Sequence, residues 1–311
     1  MKVEEVHPSR MRLLNPLSWV QLNPPTSFPA IDLTHFKVLE LGQEYTLHAK
    51  RSVGDLEERH KEKVMLRSSG CGDEFSVLTI FSGRLAIFNS WDEKWIIIPH
   101  ALWYDDLILF RGDFYAVDCT GRVVLVDLSL DVSLVAESIC DCGIQKFLVE
   151  SDGGLLLVDV YLSFGDVDDC DIDEVFDIFW MERNFQFKVF ELDIKGKRWV
   201  EVESLRLRDR LIFLGESCSF SASVGEFIKG NCILFMDNFF GARGKENSGG
   251  GSGTDTFVFD LDTYSIALLT DCPEYSRLFW PPPDWVLMTH LTVSIYSFNL
   301  FFAIISYMTS Y

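Results

Sequence analysis

From Val64 onward, hydrophobic positions gather in short runs of four to seven residues parted by Gly, Asp and Asn. Runs of that length, rich in Val, Ile, Phe and Trp, predict β-strands. The first set reads Phe75–Phe81, a Ser82-Gly83 turn, Arg84–Phe88, the turn Asn89–Glu93 and Lys94–Ile98. The second reads Leu107–Phe110, an Arg111-Gly112 turn, Asp113–Asp118, the turn Cys119–Gly121 and Arg122–Asp127. Further strands are expected at Lys146–Glu150, Gly154–Asp159, Phe187–Asp193 and Arg198–Val202. The last set is Cys218–Ser221, Cys232–Phe235, Phe257–Asp260 and Ser265–Leu269. Helical patterning is scarce. Gly54–Lys63 is nearly all charged with no apolar stripe, so it reads as a solvated short helix or a loop.

The order within each set repeats. Gly112–Val117 parallels Gly230–Phe235, and Val126-Asp-Leu128 parallels Glu191-Leu-Asp193 and Phe259–Asp262. Intervals of roughly 40 to 60 residues match blade-sized units, whose four strands bury both faces only by stacking radially. The fold class expected is therefore all-β, a β-propeller. A β-sandwich is the alternative, disfavoured because about sixteen strands exceed what such twisted sheets hold without splitting. Two insertions interrupt the pattern, acidic Gly165–Asp177 and Gly/Ser-rich Gly241–Asp255. Strand patterns resume after each, so both read as surface loops.

Charge narrows the partners. The 311 residues carry 27 Lys+Arg against 47 Asp+Glu, a formal net charge of -20. That field repels phosphate backbones and anionic lipid, so nucleic acid is excluded as a partner and basic protein surfaces are favoured. The start Met1–Pro8 holds no apolar secretory stretch, and eight scattered cysteines then read as reduced thiols. The expected location is cytoplasmic or nuclear.

No motif carries chemistry. Cys140-Asp-Cys142 is the one close cysteine pair and has no His at zinc-ligand spacing. A calcium loop begun at Asp166 would put Asp168 at its third position. Its fifth would be Cys170, its sixth Asp171 instead of Gly, and its last Asp177 instead of Glu. Gly241–Lys245 lacks the Ser or Thr and the helix of a phosphate loop. The histidines at 7, 35, 48, 60, 100 and 290 form no catalytic spacing, and no Gly-x-Ser-x-Gly elbow occurs. Trp95, Trp199 and the other tryptophans read as anchors of blade cores. No catalytic, cofactor-binding or metal-ligating residue is assigned, and no cofactor is expected: this is not an enzyme.

A family resemblance sits on particular segments. Phe187–Asp193 with Trp199–Val202, Leu211–Gly215, Ser219–Ala222, Lys229–Asp237 and the ending Tyr275–Trp285 resemble the KIB-type β-propeller domain of plant F-box proteins. Leu13–Leu17 and Gly112–Asp118 with Gly121-Arg122 resemble it upstream. The resemblance implies a substrate-recognition domain of an SCF-type ubiquitin ligase, whose N-terminal F-box docks on a Skp-type adaptor. This chain opens almost at Leu13. The propeller is therefore expected to be incomplete on its N-terminal side, and docking on a Skp-type adaptor is not expected without an F-box.

Three regions follow: a lead at 1–10, the propeller at 11–285 and an apolar tail at 286–311 that contains no Asp, Glu, Lys or Arg. Leu291–Met308 approaches the roughly 20 residues that cross a bilayer as a helix. Yet Leu291, Val293 and Ile295 alternate with polar residues as a strand does. The tail thus stands as a membrane anchor, an extra strand or an ill-packed end. The function expected is non-catalytic protein interaction. The alternatives are a membrane-tethered interaction protein and a truncated, non-functional family member.

Overall fold

Alternate residues of each strand go to opposite neighbours, and this builds the molecule. In Asp113–Asp118, Phe114 and Ala116 pack with Leu78, Leu85 and Ile87 of the preceding sheet. Tyr115 and Val117 pack with Leu148, Leu155 and Leu157 of the following one. Leu156, Val158 and Val160 then face Ile233, Phe235 and Phe259 of the next. Each sheet is buried on both sides, so a one-residue register slip would exchange both of its cores at once.

The computed structural model describes residues 63–68, 74–92, 94–99, 103–139, 143–163, 184–215, 219–224, 228–236 and 256–276. It also gives the backbone of six strands nearer the ends: Lys2–Glu5, Leu13–Leu14, Phe36–Glu40, Tyr45–His48, Leu300–Ile304 and Met308–Ser310.

Four sheets form consecutive blades of a β-propeller. Blade 1 is the antiparallel meander Val64–Ser68, Phe75–Phe81, Arg84–Asn89 and Lys94–Ile97. Blade 2 is Tyr104–Phe110, Asp113–Asp118, Val123–Val126 and Val132–Ala136. Blade 3 is Gln145–Ser151, Gly154–Ser163, Asn184–Asp193 and Arg198–Glu201.

Blade 4 departs from the expected meander. It has five strands, and Arg210–Phe213 lies between Phe220–Ser223 and Cys232–Met236. It pairs antiparallel with the first and parallel with the second, through Leu211↔Cys232 and Phe213↔Leu234. Thr256–Asp260 and Ser265–Leu268 complete the blade.

Tight turns join the strands. Ser82-Gly83, Arg111-Gly112 and Asp152-Gly153 each take positive φ at both residues, the backbone that two-residue hairpins require.

The first strands of blades 1, 2 and 3 run the same way. At their starts Lys63 Nζ meets Asp106 Oδ1 at 2.5 Å, and the Lys146 amide donates to Asp105 Oδ2 at 3.1 Å. At their ends Arg67 pairs with Asp113 at 3.1 Å, and Arg111 donates to the Gly153 carbonyl at 2.6 Å. These two ends define an upper and a lower face. Arg210 ties blade 4 to Asp152 on the lower face.

Lys63 corrects one expectation. It closes the charged segment read as solvated, yet it is 9% exposed and ion-paired. Residues 54–62 lie outside the described residues, as do residues 286–299 of the tail. Only the backbone of Leu300–Ile304 and Met308–Ser310 is given from the remainder. The expected N-terminal incompleteness likewise falls largely outside the described residues. Among the described residues no helix is long and apolar enough to cross a membrane.

A candidate interaction face

The upper face carries exposed apolar side chains. Phe81 ends the second strand of blade 1, Ile97 ends its fourth, and Trp103 lies in the link to blade 2. They are 53%, 54% and 69% exposed. With Ser82, Arg84 and Ala86 they line a groove of about 290 Å³.

Trp103 is held although it is exposed. Its carbonyl accepts the Cys119 amide at 3.0 Å, and the next amide, of Tyr104, donates to the Gly83 carbonyl at 3.0 Å. The indole lies so close over the hairpin turn that a Cβ on Gly83 would sit 2.2 Å from Trp103 Cε3. A glycine is needed there both for its φ of +74° and for this contact. A rigid, exposed aromatic beside a groove is the usual energetic centre of a protein interface.

Both long insertions attach to the same face. Ser163 pairs with Asn184, and Met236 pairs with Thr256, each at the upper end of its blade. The connections 164–183 and 237–255 therefore leave and return there, although they lie outside the described residues. So do Asp166, Asp168, Cys170, Asp171 and Asp177 of the calcium pattern and the Gly241–Lys245 stretch.

Beneath the face lies a buried polar layer that positions it. Asp106 accepts Lys63 Nζ and the Leu107 amide on Oδ1, and the Leu148 amide at 2.7 Å on Oδ2. One carboxylate thereby joins blades 1, 2 and 3. Lys146 and Asp159, both 0% exposed, pair at 2.9 Å, and Lys146 Nζ also donates to the Gly143 carbonyl at 3.0 Å. Asp118 Oδ1 accepts the Thr120 and Arg122 amides at 2.8 and 3.1 Å, shaping the turn beside Trp103.

Burial pushes the Asp105 carboxyl up to about 6, against the opposing pull of the Lys146 charge and amide. An acid whose folded pKa is raised contributes stability below its ordinary 3.8 and loses it as pH rises through about 6. Asp105→Asn, which stays neutral, is expected to be about 1–2 kcal/mol more stable than wild type near pH 7. The two should converge near pH 4. Urea midpoints at both pH values check this, and a gap independent of pH would contradict it.

The Cys119 thiol is pushed up by partial burial and then by Asp105 and Asp118, which disfavours the thiolate a nucleophile needs. Among the described residues no three His, Cys, Asp or Glu side chains converge on a metal position.

The tryptophans divide. Trp95 packs on Phe88 at 5.5 Å, and Trp199 donates Nε1 to the Gly121 carbonyl of blade 2 at 2.7 Å, as blade anchors should. Trp91 and Trp103, 45% and 69% exposed, are not core anchors. The signal available was position: Trp103 lies between strand runs, where a buried ring has no sheet to pack on.

A family model described as the KIB1-4 beta-propeller matches residues 1–260. The F-box protein SKIP23 of Arabidopsis thaliana is 41% identical over 305 residues, covering 92% of this chain and 73% of its own. A second Arabidopsis thaliana F-box protein is 34% identical over 302 residues, covering 93% of this chain and 72% of its own. Among solved structures, a Synechocystis apocarotenoid oxygenase overlaps 67% of this chain and 48% of its own, with 13% identity and a TM-score of 0.32. That likeness is too slight to bear on fold or chemistry.

Proposed function

This chain belongs to the KIB1-4 β-propeller family, and from that premise we propose that it is a non-catalytic substrate-recognition module of an SCF-type ubiquitin ligase. The proposed recognition surface is the upper face, with Trp103 at its centre. The observation that carries this reading is the pairing of exposure with position: Trp103 is 69% exposed, while the peptide that joins it to Tyr104 is hydrogen-bonded at both its carbonyl and its amide and the indole lies against Gly83. A preorganised anchor loses little side-chain entropy on binding, so its contact area goes into affinity. Rigid blades carrying variable loops at one end suit recognition better than turnover.

The net charge of -20 supports a partner with basic residues around an apolar contact. Docking on a Skp-type adaptor belongs to a helical module, and the single α-helix among the described residues is the four-residue Pro273–Ser276. We assign adaptor docking to an F-box and substrate contact to the propeller.

The test joins the chain to a heterologous F-box in plant cells. Proteins captured by the chain alone should fall in abundance when the fusion is expressed, and recover under proteasome inhibition. Captured proteins whose abundance is indifferent to the fusion would contradict the ligase reading while leaving protein interaction intact.

A further inference from the structure

The outer strand of blade 1 is an apolar sheet edge. Lys94–Ile97 pairs on one side only, with Arg84–Asn89, and the run Trp95-Ile96-Ile97-Ile98 carries no charge. The outer strands of blades 2 and 3 differ. Glu137, just past Val132–Ala136, donates its amide to the Lys197 carbonyl of blade 3 at 3.1 Å, and Arg198–Glu201 has a charge at each end. Sheets cover or charge their edges in such ways because a bare apolar edge is a template for another strand.

The register identifies the unpaired groups of this edge. The Ile98 amide donates to the Leu85 carbonyl at 2.9 Å. At two-residue spacing Ile96 and Lys94 likewise turn their backbone groups inward, opposite Ile87 and Asn89. Trp95 and Ile97 therefore turn their N–H and C=O outward, and among the described residues no strand takes them.

This edge ends at the groove of the upper face. Ile97, 54% exposed, is the outermost wall of the groove, with Phe81 and Trp103 further in. On an added antiparallel strand, the residue opposite Ile97 would hold its Cβ about 5 Å away on the same side of the sheet. One extended segment can thus satisfy the outward backbone groups and cover the apolar groove together.

We propose that a basic, extended segment of a protein partner adds as an antiparallel strand to this edge. Its backbone pairs with Trp95 and Ile97, and a bulky apolar side chain opposite Ile97 packs over the groove. Main-chain pairing gives such a complex its affinity, and alternate side chains give it selectivity. Charge decides between occupants: a net charge of -20 attracts a basic segment and repels a second copy of the chain. The inference rests on the reading of the upper face as the recognition surface and names the form in which a substrate meets it.

The probe is acetyl-Lys-Val-Lys-Leu-Lys-Val-Lys-amide, titrated into the full chain at low salt and followed by NMR or calorimetry. A Kd of about 0.1 mM or tighter is expected. N-methylation of the Val and Leu amides, which face the edge, should weaken binding about tenfold or more. N-methylation of the interior Lys amides, which face away, should leave it unchanged. Ile97→Pro removes an outward N–H without touching the inner ladder, so the blade should stay folded while the peptide binds about tenfold more weakly. Ile97→Val, which keeps the amide, should bind like wild type. Equal binding of the two methylated peptides, no saturable binding, or an indifferent Ile97→Pro would each overturn the proposal. So would a dimer in sedimentation that Ile97→Pro dissolves, since the edge would then belong to a second copy. Loss of partner capture in Trp103→Ala with an indifferent Ile97→Pro would sink strand addition alone. Expected peptide behaviour with capture unchanged in Trp103→Ala would instead sink the recognition reading and leave strand addition standing.

Discussion

Asp106→Ala is expected to destabilise the propeller by about 3–5 kcal/mol, the usual loss when one member of a buried ion pair is removed. The Asp106 carboxylate is 2% exposed and serves three blades at once. Its loss leaves Lys63, 9% exposed, with an uncompensated charge, and strips the Leu148 amide of its acceptor. Asp106→Asn keeps an acceptor in place and should cost less. Lys146→Met, which abandons Asp159 at 0% exposure, should fall in the same range as the alanine variant. Urea unfolding followed by tryptophan fluorescence measures all three. A loss under about 1 kcal/mol for Asp106→Ala would mean that apolar packing alone holds the blades in register.

The second large effect concerns binding. Trp103→Ala should reduce capture of the chain's protein partners by about 30-fold or more, as truncating a central interface aromatic does. Because the side chain is 69% exposed, stability should change by less than about 1 kcal/mol. Gly83→Ala provides the companion variant. It keeps the indole in the sequence but puts a methyl 2.2 Å from the ring at a φ of +74°, so the ring or the turn must shift. Binding should weaken with the tryptophan intact, which separates position from mere presence. Tyr264→Ala, 68% exposed on the lower face, is the control expected to have no effect. Equal loss from Trp103→Ala and Tyr264→Ala would remove the upper face from its assigned role.

Much of this architecture is legible in the residue pattern. Phe75–Phe81 and Asp113–Asp118 are read to the residue, because their apolar runs end on turn residues that only hairpins use well. The strand read as Leu107–Phe110 begins three residues earlier, at Tyr104. Asp105 and Asp106 broke the apolar run, and nothing local says that Lys63, 43 positions away, neutralises one of them. Val132–Ala136 was missed because it is an outer strand, only partly buried along most of its length. The parallel insertion of Arg210–Phe213 was invisible for another reason: hydrophobic pattern marks a strand but not its direction or its neighbours.

The functional features were harder to read than the fold. The buried acids and lysines look like solvated charges in sequence, since burial is settled by partners from other blades. Trp103 looks like core until its link position is known.

Hydrogen exchange of the chain alone and bound to a captured partner tests the central claim most directly. The account predicts slowed exchange at the amides of Ser82, Gly83, Arg84 and Trp103, with the lower-face turns 111–112 and 152–153 unchanged. Protection confined to those lower-face turns, with the Trp103 region exchanging as in the free chain, would contradict it.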